Sequence, residues 1–153
     1  MTEEENPGHG VEEAVERCLH IARTWLAWDG RPRISEDFER IYTPHKAVRR
    51  IADHIIDHLA EVEALLAGVD TQPDQWQGSL VTFETDWARF TEGDLREAQE
   101  RLRRLGRTFS LRLAAAGPGS WDADRGDNWT LRTIATHLRE IVWYAEQVGE
   151  LKR

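Results

Sequence analysis

The 153-residue sequence contains one cysteine, five prolines and no long hydrophobic run. Because Cys18 has no second cysteine to pair with, the fold needs neither an internal disulfide nor an oxidising compartment. No apolar stretch approaches the roughly 20 residues that span a bilayer. The first ten residues, MTEEENPGHG, lack the basic and apolar regions of a secretory signal. We therefore expect a cytoplasmic protein with no membrane partner.

Basic residues are also scarce, since 20 Lys and Arg stand against 28 Asp and Glu and the net charge is −8. Domains that neutralise the phosphates of a nucleic acid are usually basic, so this balance argues against nucleic acid as a partner. The apolar content of 40% is typical of a folded globular chain. We predict a flexible N-terminal tail over residues 1–10 and a single domain over residues 11–153.

Apolar residues recur at three- and four-residue spacing in four segments, as expected for amphipathic helices. The predicted helices cover residues 11–28, 44–67, 86–116 and 131–153. Thr43 and Thr130 are the expected N-caps of the second and fourth helices, and Gly68 ends the second. The third helix has a weak point at residues 91–94 that would divide it into two pieces.

The connection between the second and third helices, residues 69–84, is longer than a usual helix–helix loop and indicates a crossover. Residues 79–83 have some strand character, but a lone strand has no partner, so we interpret them as loop. A short turn with some helical character is predicted over residues 36–41. The expected fold class is therefore all-α, a four-helix bundle with a long crossover between helices two and three.

A short internal repeat places two histidines at equivalent positions. The segments RIADHIIDH (residues 50–58) and TIATHLREI (residues 133–141) both read I-A-x-H, which aligns His54 with His137. His58 follows His54 by four residues, so both project from adjacent turns of one helix face. On a helical projection, all three histidines flank the apolar stripe of their helix.

Three imidazoles that leave one position open form a known catalytic zinc arrangement. His54 and His58 can chelate one ion, and His137 can complete the site from a facing helix. Glu61 and Tyr144 lie on the same flank of the apolar stripe as the histidines. Glu61 is a candidate fourth ligand, or a carboxylate that hydrogen-bonds a ligand histidine, and Tyr144 is a candidate for orienting a bound group. The alternative is that these histidines are boundary residues, paired with nearby carboxylates and binding no metal.

The last helical segment resembles the signature of the DinB/YfiT-like superfamily. The matching residues are Trp129-Thr130-Leu131-Arg132, Ile134-Ala135, His137-Leu138 and Trp143-Tyr144, and residues 50–66 fit the helix-two segment of that family. The resemblance implies an up-up-down-down bundle, often a homodimer. It also implies a divalent metal, zinc or nickel, held by one histidine of helix two and an HxxxH pair of the last helix. Members with known activity include thiol-dependent S-transferases that use a low-molecular-weight thiol and a small electrophile.

This sequence departs from the family pattern at one ligand. His54 matches the helix-two ligand and His137 the first of the HxxxH pair, but residue 141 is Ile141. One interpretation is that His58, the counterpart of position 141 on helix two, supplies the third ligand. The other is that the site is lost and the chain is a metal-free dimeric bundle with a structural or interaction role.

Other metal and nucleotide motifs find no support. An EF-hand loop starting at Asp122 would need Gly and Glu where Asp127 and Thr133 stand. Neither Glu-x-x-His nor HExxH occurs, and there is no P-loop or GxGxxG. Cys18 lies on the apolar face of the first helix, which favours a buried, unreactive thiol.

Overall fold

The computed structural model describes residues 5–152, and these residues are mostly helical. The α-helices are α1 (His9–Ala22), α2 (Pro44–Ala67), α3 (Glu92–Ala116), α4 (Pro118–Trp121), α5 (Leu131–Leu138) and α6 (Val142–Val148). Four short 3-10 helices cover Arg23–Ala27, Gln77–Ser79, Glu84–Trp87 and Arg139–Ile141. Two strands, β1 (Arg33–Ile34) and β2 (Ile41–Tyr42), have two residues each. The all-α prediction is confirmed apart from this small hairpin.

Several helix boundaries follow the predicted local signals, but two predicted helices are shorter than expected. The first becomes a 3-10 helix at Arg23, and the fourth is divided by the 3-10 helix Arg139–Ile141 and ends at Val148. The Thr43 side chain accepts a hydrogen bond from the Lys46 amide at the start of α2, and Gly68 ends that helix with φ 73°. Thr130 caps α5 in the same way. At the predicted weak point, Thr91 and Asp94 form a capping box that starts α3. The third helix therefore begins at Glu92, and its predicted start at residue 86 was wrong.

The first helix begins at His9, two residues before its predicted start, so residues 9 and 10 are helical. Residues 1–4 of the predicted tail lie outside the described residues. Close to the start of α1, the Asn6 side chain donates a hydrogen bond of 2.8 Å to the Ser110 carbonyl of α3. This contact joins the region before α1 to the C-terminal half of α3.

The turn predicted over residues 36–41 is present at residues 36–39, but it is not helical: it is the loop of a β-hairpin, and Ile41 belongs to a strand. Strand β1 pairs antiparallel with β2, with Arg33 opposite Tyr42. The loop between them is closed by backbone hydrogen bonds from Ser35 to Arg40 and from Phe38 to Ser35. The hairpin sets Tyr42 into the core directly before the cap of α2.

One apolar core lies between the long helices. Helix α1 contacts α3, α5 and α6, and α2 contacts the same three helices. Trp25 lies at the centre, fully buried, and its indole N–H donates to the Gly149 carbonyl at 2.8 Å. Because α2 packs directly on α5 and α6, residues on one edge of α2 meet residues of the last helical segment. None of the helices within residues 5–152 is both long and apolar enough to cross a membrane.

The crossover after α2 contains no strand, as predicted, and is anchored by an ion pair between Arg49 and the buried Asp86. Asp86 is 3% exposed and accepts hydrogen bonds from the Arg49 guanidinium at 2.7 and 3.2 Å. It also accepts one from the Phe83 amide at 2.8 Å. Arg49 donates in addition to the Gly78 carbonyl. This ion pair, with a buried carboxylate and a partly exposed guanidinium, ties the end of the crossover to α2.

Candidate metal centre

Three histidines meet where α2 packs on α5. Ligand atoms of His54, His58 and His137 all lie within 4.8 Å of one another. The Nε2 atoms of His54 and His137 are 3.2 Å apart. These are the three ligands predicted from the sequence, and the fold brings them together. His58 is 9% exposed, so the cluster lies at the edge of the core.

The helices explain how the cluster forms. Helix α2 is continuous from Pro44 to Ala67, so His54 and His58 stand on successive turns with ring centroids 4.7 Å apart. His137 is in the last turn of α5 and faces both, with ring centroids at 5.2 and 4.9 Å. The site therefore combines two ligands from one helix with one from a facing helix.

The Nδ1 atom of each histidine, on the side of the ring away from the cluster, lies near a polar side chain, which we call its outer partner. His58 Nδ1 lies 2.9 Å from Glu61 Oε1, and His137 Nδ1 lies 3.3 Å from Glu140 Oε2. The Tyr144 hydroxyl lies 3.4 Å from His54 Nδ1. A carboxylate only accepts, so the Nδ1–H of His58 donates to Glu61 and leaves the Nε2 lone pair free. Metal-binding histidines are commonly held by such outer hydrogen bonds.

The electrostatics favour neutral imidazole. Burial, and after it the neighbouring His58 and His137 rings, lowers the pKa of His54 to about 3. His54 is therefore uncharged across the physiological pH range, and only a neutral imidazole has the lone pair that a cation needs.

The donor set and its spacing fit a borderline-soft divalent cation. Zinc–nitrogen distances of about 2.0–2.1 Å place two ligand nitrogens of a tetrahedral ion roughly 3.3 Å apart. The 3.2 Å between the Nε2 atoms of His54 and His137 is close to that value. Three imidazoles and no carboxylate among the nearest donors suit zinc or nickel better than magnesium or calcium.

Two residues at the site were not among the predicted site residues. One is Glu140, whose carboxylate lies against Nδ1 of His137. Glu140 follows His137 by three residues, and side chains at that spacing meet on a helix, so this contact could have been predicted from the sequence. Trp129, a residue of the DinB/YfiT-like motif, lies against two of the histidines. Its ring is stacked on His58 at 6.4 Å and 17°, and lies 5.0 Å from His137. It forms an aromatic wall and is 44% exposed.

Ile141 lies in the core and not at the cluster. Its side chain is fully buried, and it belongs to the 3-10 helix Arg139–Ile141, which contacts α1. A 3-10 helix turns by about 120° per residue and an α-helix by about 100°. The 3-10 segment therefore rotates residue 141 away from the face that carries His137.

The remaining histidines lie away from the cluster. His20 is exposed on α1, and His9 starts that helix. His45 Nε2 hydrogen-bonds the Arg89 carbonyl at 3.1 Å. Cys18 is buried, as predicted, and burial raises its pKa to about 12. None of these residues is a member of the ligand group.

Two clefts adjoin the histidines, and both include His54 and His137 in their walls. The acidic cleft, about 440 Å³, lies beside α2, the crossover and the segment before α5, and its walls carry Asp57, Glu61, Asp74 and Asp127. Burial, together with the Asp74 carboxylate, raises the pKa of Asp57. The aromatic cleft, about 450 Å³, lies beside α6, and its walls carry Arg139, Val142, Trp143 and Tyr144.

The chain was compared with models of protein families, with curated proteins and with solved structures. No family model, no curated protein and no solved structure matches it. The similarity to the DinB/YfiT-like pattern therefore rests on the sequence motifs alone, and the three-histidine cluster rests on the geometry of the described residues.

Proposed function

We propose that the protein is a DinB-like metal-binding protein in which His54, His58 and His137 hold a divalent cation, zinc or nickel. We further propose that the site transfers a low-molecular-weight thiol to a small electrophile. The observation that carries the metal proposal is the convergence of three imidazoles, each with an outer partner at Nδ1. The thiol chemistry rests on the family resemblance.

The segments that would form the proposed bundle are α1, α2, α3 and the pair α5–α6, with the 3-10 helix Arg139–Ile141 joining the last two. Helix α1 contacts α3 and the α5–α6 segment, and α2 contacts the same elements. The expected up-up-down-down order was wrong, because α1 and α2 pair with α3 in opposite directions. Arg103 and Arg107 of α3 lie against Glu16 and Glu12 of α1, whereas Asp94 and Arg112 lie against His45 and Glu63 of α2. A long connection from α2 to α3 is what two neighbouring helices that run in the same direction need.

The chain's own residues would bind and orient the reactants. A divalent cation bound by three imidazoles lowers the pKa of a coordinated thiol, so that it is present as the thiolate. Glu61 and Glu140 hold the rings of His58 and His137, and Tyr144 holds that of His54. In the transfer, a carbon–sulfur bond forms, the bond to the leaving group breaks, and the leaving group departs with the electron pair. The thiol proton passes to solvent.

The competing function is a metal-free bundle with a structural or interaction role. Two observations favour it. Ile141 is packed into the core where the family pattern has a histidine. The 3.2 Å between His54 and His137 also suits a hydrogen bond between two neutral imidazoles. Both functions include the homodimer that the resemblance implies, which light scattering on the purified protein tests.

Elemental analysis of the tag-free protein tests the metal proposal. We expect near-stoichiometric zinc or nickel in the natural sequence, and its loss in His54→Ala, His58→Ala and His137→Ala. The matched control is His20→Ala, which removes an exposed histidine of α1 and retains the metal. A protein that takes up no metal after incubation with zinc and dialysis would overturn the proposal and favour the metal-free bundle.

Activity is tested with the zinc-loaded protein, a panel of small thiols and chlorodinitrobenzene as electrophile. We expect chloride release and thioether formation above the uncatalysed rate, and none from His137→Ala. Bound metal without transfer for any thiol would contradict the transferase assignment and leave metal binding intact.

A further inference from the structure

A group of cationic side chains lies where the hairpin, the first half of α2 and the crossover meet. We call Arg40, Tyr42, Lys46 and Arg50 the cationic cluster. Tyr42 and Lys46 are fully buried, and Arg50 is 2% exposed. Burial, and after it the neighbouring guanidinium groups, lowers the pKa of Lys46 to about 8. Positive charge is therefore concentrated in a shielded region of a chain whose net charge is −8.

The cationic cluster has more cations than carboxylate partners. Arg50 pairs with Asp53 at 3.3 Å. The Lys46 ammonium donates to the neutral Thr82 hydroxyl at 3.1 Å, and no carboxylate within residues 5–152 pairs with Lys46 or Arg40. Because buried charges are costly unless they are paired, two of the three cations are suited to an anion from outside this part of the chain.

Three buried donor atoms point to a ligand independently of the charge. The Tyr42 hydroxyl, Arg50 Nε and Arg40 Nε are all buried, and none has a hydrogen-bond partner among the described residues. Burial raises the pKa of Tyr42 and the Arg40 guanidinium opposes that effect, so these two polar groups lie close together. A buried donor without an acceptor is costly, and an oxyanion accepts from several donors at once.

We propose that the cationic cluster binds the anionic group, a carboxylate or a phosphate, of a reactant of the histidine centre. That the molecule is a reactant rests on the proposed function, whereas binding of the oxyanion does not. Carboxylate and phosphate both present several acceptor oxygens to guanidinium, ammonium and hydroxyl donors, and such charge-assisted hydrogen bonds are strong.

The cationic cluster lies beside the ligand histidines. Arg50 precedes His54 by one turn of α2, and its guanidinium carbon is 5.6 Å from the centre of the Tyr144 ring. The Tyr144 hydroxyl lies 3.4 Å from His54 Nδ1, and the Tyr42 and Tyr144 ring centroids are 6.3 Å apart. One aromatic ring therefore separates the Tyr42 side of the cluster from a metal ligand. A reactant that reaches both must carry its acidic group several bonds from its reacting atom.

The aromatic cleft suits the rest of such a molecule. Its walls include Trp143 and Tyr144, and the Tyr42 ring packs on both. Its walls also include His54 and His137, so the cleft extends from two ligand histidines to the rings that contact the cationic cluster. A volume of about 450 Å³ accommodates a small organic molecule.

An NMR titration at constant ionic strength tests the anion site. The probes are propionate, inorganic phosphate and the neutral propionamide, and binding is followed at the backbone amides of Tyr42, Lys46 and Arg50. Metal-free and zinc-treated protein are compared, so that binding of a probe to zinc is recognised. We expect the better of the two anions to bind at least about tenfold more tightly than propionamide, and its identity distinguishes a carboxylate from a phosphate reactant.

Two variants locate the site. Arg40→Gln removes one cation, and Tyr42→Phe removes only a hydroxyl and retains the ring in the core. We expect each to weaken binding of the anion by about tenfold. Arg33→Gln is the matched control, because Arg33 is an exposed arginine of the same hairpin outside the cluster. Anions that bind no more tightly than propionamide, or an affinity that both site variants retain, would overturn the inference.

The role of the anion in the reaction is tested with three thiols of equal chain length: 6-mercaptohexanoate, 6-mercaptohexyl phosphate and 6-mercaptohexanol. With zinc-loaded protein and chlorodinitrobenzene, we expect one acidic thiol to exceed the alcohol about tenfold in kcat/KM, and Arg40→Gln to lose that preference. Equal kcat/KM for all three would overturn the assignment of the anion to a reactant. Failure of every thiol would overturn the proposed function, whereas the metal-free titration decides anion binding separately.

Discussion

The Nε2 atoms of His54 and His137 lie 3.2 Å apart, although 83 residues separate the two histidines in the chain. The contact exists because α2 and α5 pack together, and each helix presents its histidine at the edge of the apolar face. The packing of the two helices therefore brings the three rings together, with their ligand atoms within 4.8 Å of one another. A site held in this way loses little conformational entropy on binding a cation.

The carboxylates behind the rings should tune metal affinity. Glu61→Gln and Glu140→Gln remove the charged acceptors at Nδ1 of His58 and His137. We expect each to weaken zinc binding by about 10–100-fold, the usual effect of losing such a partner. Glu61→Gln should have the larger effect, since Glu61 is closer and its side chain is 25% exposed, against 73% for Glu140. Competition with a chromophoric chelator measures the affinity.

Glu97→Gln is the matched control for this pair, because Glu97 is exposed on α3 and is not part of the site. It should leave the zinc affinity unchanged. If the two site variants bind zinc as tightly as this control, the outer carboxylates do not orient the ligands.

Cys18 should be unreactive in the folded protein. It is 1% exposed, and burial raises its pKa to about 12, so the thiolate that reacts with disulfide reagents is almost absent at neutral pH. We expect labelling to occur only at the rate of unfolding, and to complete at once in denaturant. An exposed thiol, Glu97→Cys in a Cys18→Ala background, supplies the comparison. Labelling of Cys18 at a rate near that of the exposed thiol would contradict its burial.

Lys46 should make stability rise with pH above neutrality. Its side chain is fully buried, its ammonium donates to Thr82 Oγ1 at 3.1 Å, and burial lowers its pKa from 10.5 to about 8. Below pH 8 both the folded and the unfolded chain hold the proton, so the full cost of the buried charge is present. Between about pH 8 and 10.5 the unfolded chain binds more protons than the folded one, and the free energy of unfolding rises.

Comparison with Lys46→Met isolates this contribution. Between about pH 8 and 10.5, the free energy of unfolding of the natural protein should rise by about 2–3 kcal/mol relative to that of the variant. The steepest part of this rise is roughly 1.4 kcal/mol per pH unit. Urea denaturation at a series of pH values measures it. Lys152→Met, an exposed change of the same kind, should show no such shift. A constant difference for Lys46→Met would contradict the lowered pKa.

Local signals in the sequence predicted the helices and the cluster. The caps at Thr43 and Thr130 and the stop at Gly68 depend on neighbouring backbone groups, and they lie where predicted. His54 and His58 share a face because their spacing matches one helical turn. Their contact with His137 was predicted from the internal repeat, because residues at equivalent positions on two packed helices can face each other.

Features that depend on distant contacts were not predictable in the same way. Each strand of the hairpin has only two residues, too few for an alternating pattern, and its pairing closes across a loop. The 3-10 segment Arg139–Ile141 has no Gly or Pro to mark it, and it contacts α1. Glu140 and Trp129 are more than a third exposed, so the apolar stripe did not select them.

Position 141 offers the sharpest test of where the third ligand lies. Because the 3-10 turn places Ile141 in the core, a histidine there should not reach the cluster. We expect His58→Ala/Ile141→His, which introduces the HxxxH pair of the DinB/YfiT-like pattern in place of His58, to bind no metal. The Ile141→His change should also lower the free energy of unfolding by about 2–4 kcal/mol, because it replaces a buried aliphatic side chain with a polar one.

Metal content and urea denaturation of that double variant should be measured beside His58→Ala/Ile141→Leu, which lacks the same ligand and keeps position 141 apolar. Loss of metal in both, with the larger loss of stability in the histidine variant, would agree with a third ligand carried by α2. Recovery of stoichiometric metal with His at position 141 would show that this residue reaches the site after all. Positions 58 and 141 would then be alternative places for the third ligand.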